Sequence, residues 1–279
     1  MDKYDISVIV TTWNRASFLI DALDSLKKQD HKGTMQVIVC DDGSIDETPD
    51  VIKRYEGEFS DYKLVSFDTK DEERIECSRL PRMINKALKL AKGRYISYLP
   101  DDDIYMPERS RFMIEYLDKN EQVYLAYHFM KLILISPDKA VVGEAIDLCD
   151  RWDKTMKYWV ENIYNRIDHT SIVHRNLGEE NIEWNEDPAF KRAADWGFLL
   201  RVLKKDYEIA SVERYLALGR KIQGMSLNRD GDQMIKKINN GVKWKGKYIM
   251  LARIAERLVI GDAPFPRIIL IKWALRKPL

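Results

Sequence analysis

The stretch LPDDDIYMP, residues 99–107, puts three carboxylates in a row at the end of an apolar run and closes them with a proline. Like charges this close repel one another, so the triplet implies a cation, or an anion-bearing ligand held through one. A polar loop that merely caps the next helix is the alternative. Two further clusters follow apolar runs in the same way: TTWNR at 11–15 and DDGS at 41–44. Three polar clusters at three run ends are better evidence for one ligand site than any one of them.

The elements that must position them are legible. ISVIVTT, residues 6–12, reads as a strand buried on both faces. Ser17 is placed to cap a helix whose Leu19, Ala22, Leu23 and Leu26 recur at helical spacing. MQVIVCDD is a second strand, and SIDET leads into a helix with Val51, Ile52 and Tyr55 on one face. YKLVSF is a third strand, followed by a helix from Ser78 to Lys92 that Gly93 ends, and RYISYL is the fourth. Such alternation predicts a parallel, doubly wound sheet whose ligands sit beyond the carboxyl ends of the strands. All three clusters lie at that end and should converge on one crevice.

After Pro107 a helix to Lys119 is expected. VYLAYHFMKLILI, the PDK turn and AVVGEAI then read as a long hairpin, which makes the sheet mixed. Segments 152–164 and 193–205 read as helices, with IDHTSIVHR, residues 167–175, as a strand between them.

The 279 residues suit one large α/β domain with a tail. A hydrophobic share of 45%, a charged share of 33% and a balance of +1 describe a soluble surface and speak against nucleic acid as a partner. Cys40, Cys77 and Cys149 are odd in number and form no CxxC pair, which argues for a reducing compartment and against a disulfide scaffold or zinc site. MDKYDISVIV is not a signal peptide, and no run of about eighteen apolar residues occurs, so a cytoplasmic protein is expected.

VIVTTWNR, VIVCDDGS and YLPDDDIYMPER together resemble the nucleotide-sugar-binding half of the GT-A glycosyltransferases of family 2, and IDHTSIVHR and EDPAFKRAADWGFLLRV extend the likeness to about residue 215. The resemblance implies a GT-A, Rossmann-like mixed sheet, parallel in its first half. The corresponding domain is 1–220, with a nucleotide-binding half at 1–103 and an acceptor-binding half at 104–220; the likeness does not extend further, and from composition alone residues 221–279 are expected to be a basic, helical extension.

It also implies roles. Thr11, Thr12, Trp13 and Asp42 would hold the nucleobase, by stacking on the indole and by acceptance of a ring N–H at the carboxylate. Asp42 is alternatively a turn former in DDGS. Arg74 would reach the nucleotide, although its neighbours KDEERIE also suit a solvated ion pair. Many family members read Asp-X-Asp at the metal site; here Pro100 stands at the first of those positions, so the pair is Asp101 and Asp102. Asp102 would bind Mn2+ or Mg2+ directly, with Asp101 reaching ribose or a metal-bound water. Asp103 and Asp168 are candidates for contact with sugar or acceptor. Asp195, at the head of an apolar helix, would be the base that deprotonates the acceptor, which predicts inversion at the anomeric carbon.

The expected partners are a nucleoside diphosphate sugar, UDP- or dTDP-linked, and a glycan or lipid-linked hydroxyl. A sugar nucleotidyltransferase is a rival, but it should carry a glycine-rich loop after the first strand and TTWNRASF has no glycine. A non-catalytic nucleotide-binding scaffold is the other rival. Residues 240–279 carry nine Lys or Arg against two acids, interleaved with apolar residues. That suits peripheral contact with an anionic membrane, or packing on the domain or on a second subunit. His169 and His174 read as packed or surface histidines, and Trp184 as core or acceptor groove.

Overall fold

The computed structural model describes residues 4–67, 79–143, 146–163, 165–187, 190 and 193–222. Arg74, the sequence 240–279 and nearly all of the expected extension 221–279 lie outside the described residues.

Four apolar runs form the strands β1 (Tyr4–Thr12), β2 (Met35–Asp41), β3 (Asp61–Ser66) and β4 (Gly93–Pro100). They alternate with helices α1 (Ala16–Lys27), α2 (Thr48–Arg54) and α3 (Arg79–Leu88). All four strands run parallel. Ile6, Val8 and Val10 pack with Leu19, Leu23 and Leu26 of α1, while the alternate residues Ile9 and Ile38 are equally buried. Burial on both faces is why β1, β2 and β4 are largely apolar, whereas the edge strand β3 leaves Lys63 and Leu64 exposed. Thr12 pairs with Asp41 and Thr11 with Pro100, so the residues after β1, β2 and β4 leave the sheet at one level.

Two local expectations are corrected. Ser17 does not cap α1: the helix starts at Ala16, whose amide donates to Asp46 Oδ2 at 3.2 Å, while Oδ1 of the same carboxylate accepts from Thr48 N at 3.0 Å at the head of α2. One acid from the loop after β2 therefore serves two helix starts. Gly93 opens β4 instead of ending α3. A Cβ there would stand 2.4 Å from the Ser7 backbone nitrogen, so close approach to β1 requires the glycine.

The second half contains β5 (Ile104–Tyr105), α4 (Arg109–Lys119), β6 (Val123–Ile135), β7 (Ile146–Leu148), α5 (Lys154–Asn162), β8 (Ile172–Arg175), α6 (Ala194–Lys204) and β9 (Glu208–Ile222). The sheet order is β3-β2-β1-β4-β8-β6-β9-β5, with β7 on β6. β8 is antiparallel to β4 and β6, so the sheet is mixed as expected. The hairpin is present with a short second arm, Met130 to Leu132 facing Ile146 to Leu148. The main partner of β6 is β9, a parallel strand that the sequence did not reveal. In IDHTSIVHR only Ile172–Arg175 is strand, because His169–Ser171 form a 3-10 turn.

β5 follows β4 by three residues yet pairs with β9 at the far end of the order. Three residues span at most about 14 Å between flanking Cα atoms, so strands β4 through β5 must curl round on themselves. Asp101, Asp102 and Asp103 are that link.

Candidate active site

Asn14 adopts φ 48°, the left-handed turn that Asn tolerates, and so reverses the chain between Trp13 and Arg15. The turn is tied to the DDGS loop: Asn14 N donates to Ser44 Oγ at 2.8 Å and Ile45 N to Asn14 Oδ1 at 2.7 Å. Trp13 stands 37% exposed, with the Arg79 guanidinium 5.0 Å from its ring centre. Arg79 Nη1 also donates to Asp42 Oδ2 at 2.5 Å. The DDGS turn is held by Asp41, which accepts from Ser44 N and Oγ at 3.1 and 2.5 Å. Asp42 is therefore not the turn former, and its buried carboxylate faces Arg79 beside the indole.

The acid triplet is organised around Arg15. Its Nη1 lies 3.0 Å from Asp101 Oδ1 and 3.0 Å from Asp102 Oδ2. Asp101 also accepts from Thr12 Oγ1 at 2.8 Å and Trp13 N at 3.4 Å, while its own amide donates to the Thr11 carbonyl at 3.0 Å. Burial and the neighbouring Asp102 push the Asp101 carboxyl up to about 6, against the pull of Arg15 and Thr12. Burial works against the Arg15 charge too, but the two carboxylates outweigh it and hold its pKa above the ordinary value. The Asp102 side chain is 19% exposed and that of Asp101 4%, so Asp102 presents the open face.

Asp103 turns the other way. It is 1% exposed, accepts from the Thr170 hydroxyl, and receives the Arg220 amide at 3.2 Å. Burial, then repulsion from Asp102 and Asp168, raises its pKa well above the usual carboxylate range. Asp103 is thus a buried bracket between the 169–171 turn and β9.

Asp195 lies in the first turn of α6, its Oδ1 accepting from Trp196 N at 2.8 Å. Burial and then the charge of Asp168 push its carboxyl up to about 6, partly offset by His169 and Lys221. Asp168 caps the 169–171 turn by accepting from Thr170 N at 3.0 Å. His169 Nδ1 is 3.4 Å from it and Lys221 Nζ 3.9 Å. Burial would raise Asp168, yet these neighbours hold it below the ordinary carboxylate value. Lys221, whose side chain is exposed, is raised by Asp168, Asp103, Asp102 and Asp195 in that order. The structure thus brings Asp168, Asp195 and Asp102 within the field of one ammonium.

Arg15, Arg79, Arg220 and Lys221 were missed as site residues. Arg15 was visible as the basic end of TTWNR, and the GRKI doublet as cations at a run end; Arg79 had no signal, because its role depends on α3 crossing the DDGS loop. His174 is buried, its Nε2 against the Tyr98 hydroxyl at 2.7 Å, and Trp184 is stacked on Phe198, so both belong to the core.

Among the described residues no three His, Cys, Asp or Glu side chains are grouped to hold a metal ion by themselves. The donor set nevertheless fits a hard cation. Mg2+ and Mn2+ are commonly held by one or two carboxylates with substrate phosphates completing the shell, and Asp102 offers an accessible oxygen beside the closed Asp101. No helix among the described residues is long and apolar enough to cross a membrane.

Solved structures share this architecture. A fragment of Staphylococcus aureus TarS in complex with UDP-GlcNAc has a TM-score of 0.61 at 19% identity, over 91% of this chain and 71% of that one. The mannosyltransferase PcManGT from Pyrobaculum calidifontis, in complex with GDP-Man and Mn2+, has a TM-score of 0.54 at 16% identity, over 94% and 66%. The fold is GT-A, a curled mixed sheet whose polar clusters gather at the ends of β1, β2 and β4.

The sequence profile described as glycosyl transferase family 2 matches residues 7–180, and the chain belongs to that family. Protein CgeD of Bacillus subtilis is 29% identical over 61% of this chain and 38% of its own length. The uncharacterized glycosyltransferase MJ1057 of Methanocaldococcus jannaschii is 24% identical over 77% and 70%. The Escherichia coli UDP-Glc:alpha-D-GlcNAc-diphosphoundecaprenol beta-1,3-glucosyltransferase WfaP is 28% identical over 44% of each chain.

Proposed function

We propose that this chain transfers a sugar from a nucleoside diphosphate, UDP or dTDP, to a hydroxyl of a glycan or lipid-linked acceptor, with inversion at the anomeric carbon. The observation that carries the reading is the shared strand-end edge, where Trp13, Arg79 and Asp42 adjoin the Arg15–Asp101–Asp102 cluster. Asp42 accepts a ring N–H of the base, the indole stacks on it, and Arg79 holds the carboxylate in place. Thr11 and Thr12 hold the loop against Asp101. UDP is the first nucleotide to test, since the donor in the WfaP name and the ligand in the TarS complex are UDP sugars.

Asp102, supported by Asp101, is the residue to hold Mn2+ or Mg2+. When bound, that ion neutralises charge on the diphosphate as it leaves. Arg15 stands beside it as a second cation for the same charge. Asp195 takes the proton of the acceptor hydroxyl as its oxygen bonds to the anomeric carbon and the carbon–oxygen bond to the diphosphate breaks. Asp168, ionised beside Lys221, orients the acceptor side. The test is a thermal-shift panel of nucleoside diphosphates and their sugars, with and without Mn2+, followed by turnover with any sugar donor that binds. Stabilisation by one diphosphate class that grows with Mn2+ supports the reading, and indifference to all of them refutes it.

A further inference from the structure

β9 ends in two consecutive cations whose side chains leave the strand on opposite faces. Lys221 approaches Asp168, while Arg220 passes beneath the acid triplet and is only 5% exposed. Its Nε donates to the Asp102 carbonyl at 2.6 Å, Nη2 to the Asp101 carbonyl at 3.3 Å and Nη1 to Asp21 Oδ2 at 2.6 Å. Its backbone amide bonds to Asp103 Oδ1 at 3.2 Å. One residue therefore touches all three members of the triplet. The guanidinium lies 5.0 Å from the Phe18 ring centre, and Asp21 is shared with Lys139 Nζ at 2.7 Å.

Burying a guanidinium is costly unless each donor direction finds an acceptor. For charge compensation alone Asp21 would suffice. Here two further directions reach the peptide carbonyls of the residues that carry the exposed carboxylate and its support. A planar fork anchored to α1 fixes both peptide planes, and the positive charge below offsets repulsion among the carboxylates above.

We propose that Arg220 is the positioning residue for the cation-binding carboxylate: it sets the orientation of Asp102 from behind, without touching donor or ion. This rests on the reading of Asp102 given above. A lysine at 220 keeps the charge and loses the fork, so charge alone should not restore the geometry.

The test titrates Mn2+ against purified full-chain protein with UDP, or dTDP if the wild type prefers it, and reads the Mn2+ concentration for half-maximal nucleotide binding. R220K and R220Q should each raise that midpoint about 10-fold or more, the usual effect of losing support behind a metal ligand. D21N, which loosens the anchor and leaves the guanidinium, should raise it by a smaller factor. A folding defect lowers the amount bound, not the midpoint, and where the Arg220 variants do not fold D21N decides alone. Unchanged midpoints overturn the proposal, as does full rescue by lysine. A wild type that binds neither nucleotide at any Mn2+ concentration overturns the functional reading instead, which is a separate result.

Discussion

Nη1 of Arg15 lies 3.0 Å from a carboxylate oxygen of Asp101 and 3.0 Å from one of Asp102. A single cation on one side chain thus joins the two acids proposed to engage a divalent ion. In the ligand-free protein it screens a repulsion strong enough, with burial, to push Asp101 up to about 6. R15Q should destabilise the ligand-free protein by about 1–2 kcal/mol, given that Arg15 is partly exposed, and so lower its melting temperature. Added Mn2+ should narrow that gap, because a second cation then supplies the missing charge. A gap that Mn2+ leaves untouched, measured by calorimetry at pH 7.5, would detach Arg15 from the ion site.

Asp195 works as a base only when ionised, and its carboxyl sits at about 6. The pH profile of kcat/KM should therefore show an acid limb, with activity lost as pH falls through about 6. D195N should cost about 100-fold or more in kcat while nucleotide binding survives. The same shift has a stability consequence. A carboxyl raised by folding contributes stability that is fully present below its unfolded value of 3.8 and lost as pH rises through about 6. Ligand-free D195N should accordingly melt at or above the wild type at pH 8, with the difference shrinking toward pH 5.

Lys221 faces Asp168, Asp103, Asp102 and Asp195. Removing its charge in K221M withdraws a cation that favours the ionised base, so the acid limb of the pH profile should move upward. K221R should keep the limb near its wild-type position. A K221M limb that stays in place, with only the plateau lowered, would reduce Lys221 to a packing role.

Trp13 is half open, and Arg79 covers part of its ring. Loss of base stacking in W13A should weaken nucleoside diphosphate binding by about 1–3 kcal/mol, while W13Y should retain most of it. Isothermal titration against UDP, and against ribose 5-phosphate as a ligand without a base, separates stacking from phosphate contact. Equal losses for both ligands would contradict a nucleobase site at Trp13.

The first hundred residues could be read closely because β1, β2 and β4 are buried on both faces and each polar cluster begins where one of those apolar runs stops. The second half was less legible. β9 escaped notice because Glu213, Arg214 and Arg220 interrupt its apolar pattern, and its pairing with β6 slips at Val123, His128 and Phe129, which breaks the period of two. The roles proposed for Asp101, Asp102 and Asp195 rest on family likeness and local spacing. Those of Arg79 and Arg220 could not, since each acts on a loop between 37 and 119 residues away that only the folded sheet brings near. The inward turn of Asp103 could not be read either, since it follows from the pairing of β5 with β9.

The central claim is that the edge formed by β1, β2 and β4 binds a nucleoside diphosphate through a divalent cation held at Asp102. Calorimetric titration of UDP and dTDP into the wild type and D102N, each with and without Mn2+, tests it most directly. At least one nucleotide should bind the wild type more tightly with Mn2+, and D102N should lose the Mn2+-dependent part while melting near the wild-type temperature. Equal Mn2+ enhancement in both proteins, or no binding of either nucleotide to the wild type, would contradict it.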